Sequence, residues 1–217
     1  MLFLDQLRND TRVQFLHGFL RHPQQVGSVV PSSRFLERRI IKMAKVSQAR
    51  VVVELGPGTG GTTRALLDSM RPDARLLSIE ISDRFVRGLG RIKDERFTPR
   101  HGNALFLSEY LDEYGLPAPD VVISGIPFST MKADLGGQII TSVWNELAPG
   151  GLFVAYQFRD RVCSLGTRLL GGCDVGVELL NVPPMRVYRW QKPGNGNGNG
   201  NGNGNGNGNG GPIQPPV

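Results

Sequence analysis

From Val51 to Phe158 the chain alternates between short apolar or β-branched runs and amphipathic helical stretches. The predicted strands cover residues 51–55, 75–81, 97–101, 120–124 and 151–158, and the predicted helices between them cover residues 62–70, 83–92 and 132–147. Strands that alternate with helices are joined by crossovers, and crossovers produce a parallel sheet that is covered by helices on both faces. The pattern therefore predicts an α/β fold.

A different pattern follows near the end of the chain. Two strand-like runs, residues 174–180 and 186–190, are joined by the segment Asn181-Val182-Pro183-Pro184. So short a link cannot form a parallel crossover, and the two runs are predicted to form an antiparallel hairpin at the sheet edge. The expected core is a mostly parallel, seven-stranded sheet with a C-terminal antiparallel hairpin.

The first quarter of the chain is predicted to be helical and is strongly basic. Helices are expected over residues 11–23, where Thr11 and Gln14 have capping-box spacing, and over residues 33–45. Residues 1–50 hold nine basic and three acidic residues, which is the whole formal excess of +6, whereas the rest has 16 of each. Such a segment suits nucleic acid or anionic lipid headgroups, and it also suits a solvated helical face.

Composition excludes several other classes of protein. No apolar run reaches the roughly 18 to 20 residues of a membrane span, and Asp5 and Asp10 interrupt the place of a signal peptide's apolar segment. Cys163 and Cys173 are too few for a disulfide framework, and three scattered histidines lack zinc spacing. The Asn-Gly repeat after Gly194 cannot bury apolar surface and is expected to be disordered. These features predict a cytoplasmic enzyme without a metal.

The strongest local signal is the glycine loop Gly56-Pro57-Gly58-Thr59-Gly60, which follows the first predicted strand and precedes a helix. Glycines there allow the backbone to approach a ligand closely. Gly56, Gly58 and Gly61 also satisfy the spacing of a nicotinamide-dinucleotide loop. Glu54, however, would repel a pyrophosphate and suits the cationic amino end of S-adenosylmethionine (SAM).

Three further strand ends carry polar groups or turn residues. Glu80 ends the second strand, where a carboxylate can accept both ribose hydroxyls of a nucleoside. Asn103, after the third strand, can hydrogen-bond an adenine amino group. The fourth strand leads into Ser124-Gly125-Ile126-Pro127-Phe128, the place at which amino-group methyltransferases hold the transferred methyl; an ordinary strand-to-helix turn is the alternative.

These motifs together resemble the class I SAM-dependent methyltransferases of the adenine-dimethylase type. Two flanking segments, residues 19–33 and 181–188, are more discriminating and are similar to segments of the bacterial phospholipid N-methyltransferases. The resemblance covers roughly residues 12–190 and implies stepwise N-methylation of an aminolipid headgroup, either phosphatidylethanolamine or ornithine lipid. It departs from the common pattern at Asn103, where Asp is common, and at Ser124, where adenine dimethylases have Asn.

The resemblance also implies roles for individual residues. The residues expected to bind SAM are Glu54, Gly56, Pro57, Gly58, Thr59, Gly60, Glu80, Ile81, Asn103, Ala104 and Ser124. The reacting centre is expected to be lined by Gly125, Ile126 and Pro127, and the headgroup side by Ser32, Ser33, Arg186 and Tyr188. The expected divisions are basic amphipathic helices in residues 1–49, the SAM-binding core in residues 50–192 and a disordered tail in residues 193–217.

The implied partner is an anionic membrane surface, with the enzyme peripheral on its cytoplasmic, inner face. Two alternatives remain open at this point. An rRNA adenine N6-methyltransferase would use the basic segment to bind RNA phosphates, although those enzymes usually append a helical domain after the sheet. A non-catalytic, membrane-adhering protein with the SAM-binding fold is the second.

Overall fold

The computed structural model describes residues 32–194, so the helix predicted over residues 11–23 and the Asn-Gly tail lie outside the described residues. The described helices are α1 (Arg34–Met43), α2 (Gly61–Ser69), α3 (Asp83–Leu89), α4 (Leu107–Glu113), α5 (Ala133–Glu146) and α6 (Arg161–Leu170). The strands are β1 (Val51–Leu55), β2 (Arg75–Glu80), β3 (Phe97–His101), β4 (Val121–Ser124), β5 (Leu152–Gln157), β6 (Asp174–Glu178) and β7 (Met185–Gln191). Short 3-10 helices cover Val46–Gln48, Ala104–Phe106 and Phe128–Thr130.

All seven strands form one sheet in the order β3-β2-β1-β4-β5-β7-β6. The first five strands in this order are parallel, and β7 pairs antiparallel with both β5 and β6. The predicted α/β fold and the terminal antiparallel hairpin are therefore confirmed. The hairpin folds back so that its second strand, β7, lies inside the sheet and its first strand, β6, forms the edge.

Each face of the sheet has its own apolar core. Neighbouring residues of a strand point to opposite faces, so Val52 packs in one core and Val53 in the other. The Val52 side is covered by α1, α2 and α3, and the Val53 side by α4, α5 and α6. Because β1 is buried along its whole length, its near-continuous valine run is what a strand covered on both faces requires.

Two described helices, α4 and α6, were not predicted from the sequence. Helix α4 has only seven residues, and the helical spacing of its buried Leu107, Tyr110 and Leu111 is the signal that could have revealed it. Helix α6 packs on β7 through Gly166, where an added Cβ would overlap the ring of Trp190. Helix α3 ends at Leu89, before the predicted Ile92, because Gly90 follows it.

The order of the strands positions a binding site. After β3 the chain crosses to the other side of β1 and continues as β4, so the connections leave β1 and β4 in opposite directions. In open α/β sheets such a switch point creates a crevice outside the carboxyl ends of the strands, where ligands bind. The loops that follow β1, β2, β3 and β4 all lie at this carboxyl edge.

Candidate active site

The glycine loop, residues 56–60, turns the chain sharply from β1 into α2. Its three glycines have positive φ angles of +72° at Gly56, +56° at Gly58 and +81° at Gly60, which favour glycine over other residues. A Cβ at Gly56 would also come within 3.3 Å of the Ile126 side chain. At Gly58, by contrast, a Cβ would meet nothing within 4 Å, so this glycine faces open space.

Glu54, the second-last residue of β1, lies two positions before this loop and is fully buried. Its Oε2 accepts hydrogen bonds of 2.7 Å from the hydroxyls of Thr63 and Ser78, whereas its Oε1 has no partner among the described residues. Burial raises the pKa of Glu54 to about 7, and the two hydroxyls oppose that shift. A buried carboxylate oxygen without a partner can accept a hydrogen bond from a cationic or other donor group of a ligand.

Glu80 ends β2 beside the same loop. Its Oε2 accepts from the Gly58 backbone N–H at 3.0 Å, and its Oε1 accepts from the Ser82 N–H at 2.9 Å. Burial raises its pKa, and these backbone donors oppose the shift. Each carboxylate oxygen can accept a further hydrogen bond, so Glu80 retains capacity for two hydroxyl donors. The neighbouring Ile81 is buried in the core.

Asn103 follows β3 and caps the 3-10 helix that begins at Ala104. Its side-chain Oδ1 accepts from the Leu105 backbone N–H at 3.1 Å. Its Nδ2 is buried and has no partner among residues 32–194. The side chain therefore presents a hydrogen-bond donor, suited to a ring nitrogen of adenine, as well as the acceptor expected for the adenine amino group.

The loop after β4 meets the glycine loop at the switch point. The Gly125 N–H donates to the Leu55 carbonyl at 2.9 Å, and Ser124 Oγ accepts from the Ile126 N–H at 3.3 Å. A Cβ at Gly125 would lie 2.5 Å from the Tyr156 hydroxyl and 3.0 Å from the Gly56 carbonyl oxygen. Only glycine fits at position 125 at this close approach. The predicted reacting centre at Gly125 therefore lies next to Gly56, in the loop predicted to bind the methionine part.

Gln157, at the end of β5, is a residue that the sequence analysis missed. Its Nε2 donates a 2.5 Å hydrogen bond to the Ile126 carbonyl, and its Oε1 is buried without a partner in the described part of the chain. The available signal was its position, since it is a polar residue at the carboxyl end of a buried strand. Gln157 therefore fixes the carbonyl of the loop after β4.

We expect Gln157→Leu to lower the free energy of unfolding by about 1–3 kcal/mol, because the buried Ile126 carbonyl loses its donor. The measurement is urea denaturation at constant pH. Gln191→Leu is the matched control, since Gln191 Nε2 donates to the Gly150 carbonyl at 3.1 Å at an exposed position. The control should change stability by less than about 0.5 kcal/mol, and equal losses in both variants would contradict a buried, specific role for Gln157.

A second missed group lies beneath the glycine loop. The hydroxyl of Tyr156 is 3.4 Å from Thr62 Oγ1, and Thr62 in turn donates to the Ser32 hydroxyl at 3.4 Å. Burial is the main cause that raises the pKa of Tyr156, and the nearby Glu54 adds to it, so the phenol stays protonated and can donate. The predicted substrate residue Ser32 is thus connected to the site through these hydroxyls.

The other predicted substrate residues occupy different places. Ser33 caps α1 through its hydroxyl, and its backbone N–H donates to the buried Asn181 Oδ1 at 2.8 Å. Arg186 is exposed at the start of β7, where its Nη1 donates to the Phe158 carbonyl at 3.3 Å. Tyr188 is buried beside Trp190, and its hydroxyl has no partner among the described residues. The structure therefore does not bring Tyr188 together with the site.

The polar groups at the carboxyl edge fit SAM. The unpaired Glu54 Oε1 fits its ammonium group, Glu80 fits its ribose hydroxyls, and the unpaired Asn103 Nδ2 fits its adenine ring. The open space at Gly58 leaves room for the ligand beside the backbone. Residues 32–194 contain no group of three or more side chains arranged to hold a metal ion. No helix in that range is long and apolar enough to cross a membrane.

No protein-family model matches the chain. It is 34% identical over 145 residues to the ornithine lipid N-methyltransferase of Singulisphaera acidiphila, and this match spans 64% of the chain and 73% of that enzyme. It is 35% identical over 131 residues to the ribosomal RNA small subunit methyltransferase A of Phenylobacterium zucineum, spanning 58% of the chain but 43% of that enzyme.

Solved structures share the fold at low sequence identity. The N-methyltransferase NodS of Bradyrhizobium japonicum, in complex with S-adenosyl-L-homocysteine, superposes with a TM-score of 0.59 at 17% identity, covering 85% of this chain and 100% of NodS. The O-methyltransferase TomG of Streptomyces achromogenes, in complex with SAM, gives a TM-score of 0.60 at 16% identity, covering 85% of this chain and 91% of TomG.

The shared fold and the sequence matches make this protein a class I SAM-dependent methyltransferase. SAM, rather than a nicotinamide dinucleotide, is its cofactor. Because one enzyme is matched at 34% identity over 73% of its length, the chain belongs to the family of the ornithine lipid N-methyltransferase.

Proposed function

We propose that this methyltransferase transfers methyl groups from SAM to the amine of a membrane aminolipid, either phosphatidylethanolamine or ornithine lipid. The observation that carries the proposal is the match to the ornithine lipid N-methyltransferase, which extends over 73% of that enzyme. The match to the rRNA methyltransferase from P. zucineum covers 43% of that protein. A match over most of a lipid enzyme's length favours a lipid substrate over RNA.

Residues at the carboxyl edge are assigned to SAM in this proposal. The ionised Glu54 receives the ammonium group on its unpaired Oε1, and the glycine loop from Gly56 to Gly60 passes along the methionine part with Pro57 and Thr59. Glu80 accepts the ribose hydroxyls, with Ile81 beside it. Asn103 and Ala104 contact the adenine, and Ser124 supports the loop after β4.

When bound, SAM would supply an electrophilic methyl group to the neutral amine: the C–N bond would form as the S–C bond breaks, S-adenosylhomocysteine would leave, and the proton of the resulting ammonium would pass to water. The chain contributes by holding donor and acceptor in attacking geometry, which is worth up to roughly 7–11 kcal/mol in favourable systems. Gly125, Ile126 and Pro127 line this centre. A carbonyl oxygen has two lone pairs, so the Ile126 carbonyl can accept from the amine while it also accepts from Gln157.

The lipid must reach this centre from a membrane. The basic segment of residues 1–50, which includes Arg8, Arg12 and Arg21, is assigned to the anionic inner face of the membrane, where each Arg near the surface contributes on the order of 1 kcal/mol. Ser32 and the exposed Arg186 are assigned to the headgroup side. Ser33 acts there indirectly, since it caps α1, whereas the buried Tyr188 is not part of the headgroup side.

One observation favours a second candidate function, adenine N6-methylation of rRNA. The identity to the P. zucineum rRNA methyltransferase, 35% over 131 residues, is as high as that to the lipid enzyme, although it spans less of the relative. The basic first quarter of the chain would suit RNA phosphates as well as lipid headgroups.

The two functions are separated by incubating the purified full chain with methyl-labelled SAM and either total bacterial lipid or rRNA. We expect label in a lipid that carries a primary amine and none in RNA. A parallel incubation without the protein provides the background. Label that appears in rRNA and not in lipid would overturn the lipid proposal and support the second candidate.

A further inference from the structure

The turn between β6 and β7 exposes an unusual amount of apolar surface. We call residues 179–184 the hairpin tip. The exposed fraction is 71% for Leu179, 62% for Leu180 and 85% for Val182. Of the eight large hydrophobic residues exposed in the described part of the chain, four lie between residues 177 and 182. Exposed apolar residues that are scattered singly need no explanation, but a contiguous cluster indicates a contact surface.

The hairpin tip lies on the side of the sheet where the parallel strands have their carboxyl ends, as the candidate active site does. The register pairs Gln157, the last residue of β5, with Arg186, and it pairs Glu178 with Met185. The tip therefore extends beyond the carboxyl end of β5, and β5 is the neighbour of β4. With about 4.8 Å between neighbouring strands, β7 lies about 10 Å from β4 along the sheet. A surface that touched the tip would also face the loop after β4.

The backbone of the hairpin tip is held by contacts within the protein. The Leu180 N–H donates to Glu178 Oε1 at 3.0 Å, and the buried Asn181 donates from its Nδ2 to the Pro183 carbonyl at 2.9 Å. Asn181 Oδ1 also accepts from the Ser33 N–H, which ties the tip to the start of α1. These contacts satisfy one backbone N–H and one backbone carbonyl of the tip, which lowers the cost of placing those two groups in an apolar medium.

The charges around the tip suit an anionic surface. The tip itself contains no charged residue, and the Glu178 carboxylate beside it is paired with Arg39 at 2.9 Å. Exposed basic residues flank it: Arg186 follows the tip, and Arg159 and Arg161 follow β5 with a single acid, Asp160, between them. Phe158, whose carbonyl accepts from Arg186, adds another apolar side chain with an exposed fraction of 52%.

We infer that the hairpin tip, with Phe158 beside it, inserts into the headgroup region of an anionic bilayer. This inference rests on the proposed lipid substrate and adds to it a second membrane contact, separate from the basic segment of residues 1–50. Interfacial apolar side chains enter the boundary between headgroups and acyl chains by about 5–10 Å. Insertion at this edge orients the carboxyl ends of β1 and β4 towards the bilayer, where the amine of a lipid lies.

The test compares two pairs of substitutions in the full chain. The tip pair is Leu180→Gln with Val182→Gln, and the control pair is Leu169→Gln with Val175→Gln, whose exposed fractions are 44% and 51%. Each is sedimented with vesicles of phosphatidylethanolamine and phosphatidylglycerol. We expect the partition coefficient onto the vesicles to fall about tenfold or more for the tip pair and less than about twofold for the control pair. Only the substitutions in the tip remove apolar area that inserts into the bilayer. Affinity for SAM should be unchanged in both.

The salt dependence of vesicle binding distinguishes the contribution of the hairpin tip from that of the basic segment. At 1 M salt the Debye length is about 3 Å, so the attraction of arginines is screened while apolar insertion persists. The tip pair should therefore lose binding that survives high salt, whereas a variant with Arg8, Arg12 and Arg21 changed to Gln should lose binding that salt removes. As a direct readout, the fluorescence of Val182→Trp should be quenched by brominated lipid beyond the parent's signal.

The remaining outcomes distinguish a failure of the inference from a failure of the proposed function. If the parent neither binds these vesicles nor labels lipid, the proposed function fails and the inference fails with it. If the parent does both but the tip pair behaves like the control pair, the inference alone fails. If the tip pair converts a dimeric parent to a monomer without changing vesicle binding, the surface joins two copies of the chain, and the membrane assignment is overturned.

Discussion

Replacing Gly58 by alanine is expected to lower the affinity for SAM by about fivefold to more than a hundredfold. The added Cβ meets no protein atom within 4 Å, so it enters the space in which the ligand must lie against the loop. Forcing an extra methyl into a close-packed contact costs about 1–3 kcal/mol, which corresponds to this range of affinity. Isothermal titration calorimetry with SAM measures the effect.

Alanine at Gly58 also introduces backbone strain, and the chain offers a matched control for it. Gly115, between α4 and β4 at the opposite edge of the sheet, has a φ angle of +58° and likewise no atom within 4 Å of an added Cβ. Both alanine variants should lose about 1–2 kcal/mol of stability, since both adopt a left-handed conformation. Only Gly58→Ala should lose SAM affinity. Similar losses of affinity in both variants would contradict the assigned loop.

Glu54→Gln should weaken SAM binding by roughly tenfold to a hundredfold. The amide keeps an oxygen to accept from Thr63 and Ser78, but it presents no negative charge at the position of the unpaired Oε1. A hydrogen bond to a charged group contributes about 1.5–3 kcal/mol, and that contribution is lost. The change is measured by calorimetry at pH 7.5, where the parent's Glu54 is mostly ionised because its pKa is about 7.

Because the Glu54 carboxylate titrates, the affinity for SAM is expected to depend on pH. Below a pKa of about 7 Glu54 is protonated in the free protein, so binding the ammonium group must expel a proton. SAM affinity should therefore fall as pH decreases from 7 to 5.5, by up to about tenfold for each unit. Glu54→Gln should abolish this slope. A parent whose affinity is constant over this range would contradict the assignment of Glu54 to the ammonium group.

The stability of the free protein should change in the opposite direction. Burial raises the pKa of Glu54 from an ordinary 4.5 to about 7, so folding favours the protonated form. The stability from this group is present below pH 4.5 and is lost as pH rises through 7, in total about 3 kcal/mol. Without SAM, Glu54→Gln should therefore be more stable than the parent at pH 8, and urea denaturation measures the difference.

Asp120 provides a control carboxylate, because it lies at the amino ends of the strands, on the side of the sheet away from the candidate site. Asp120 Oδ2 accepts from the backbone N–H groups of Arg50 at 2.7 Å and Val51 at 2.9 Å, at the amino ends of β4 and β1. Asp120→Asn should lower the free energy of unfolding and leave SAM affinity unchanged. This is the reverse of the pattern expected for Glu54→Gln at pH 8, so the two variants distinguish a binding carboxylate from a structural one.

Much of the geometry of the candidate site could be predicted because its signals are local in sequence. The apolar run of β1, the carboxylate that ends it and the glycine loop stand within ten residues of one another. The positive φ angles of Gly56, Gly58 and Gly60 agree with the loop that their spacing indicated. Alternation of short strands with helices likewise predicted a parallel sheet, because side-chain periodicity reflects backbone geometry that neighbouring residues determine.

Contacts between distant residues could not be predicted in this way. Ser78 donates to Glu54 only because β1 and β2 pair in a register that sets these two residues side by side, 24 positions apart in the chain. Gln157 reaches the Ile126 carbonyl across 31 positions, and Asn181 reaches Ser33 across 148. None of these pairs has a periodic or compositional signature, since each depends on how whole elements pack.

The sequence therefore predicted the type of fold, the glycine loop and the carboxylates at the strand ends, all of which follow from backbone preferences and short-range spacing. The packing of the elements settled the rest. It placed β4 beside β1 and β7 between β5 and β6, and so brought the loop after β4 against the glycine loop. It also left Glu54 with one unpaired oxygen and a raised pKa, because burial and partners are properties of the folded chain rather than of any segment.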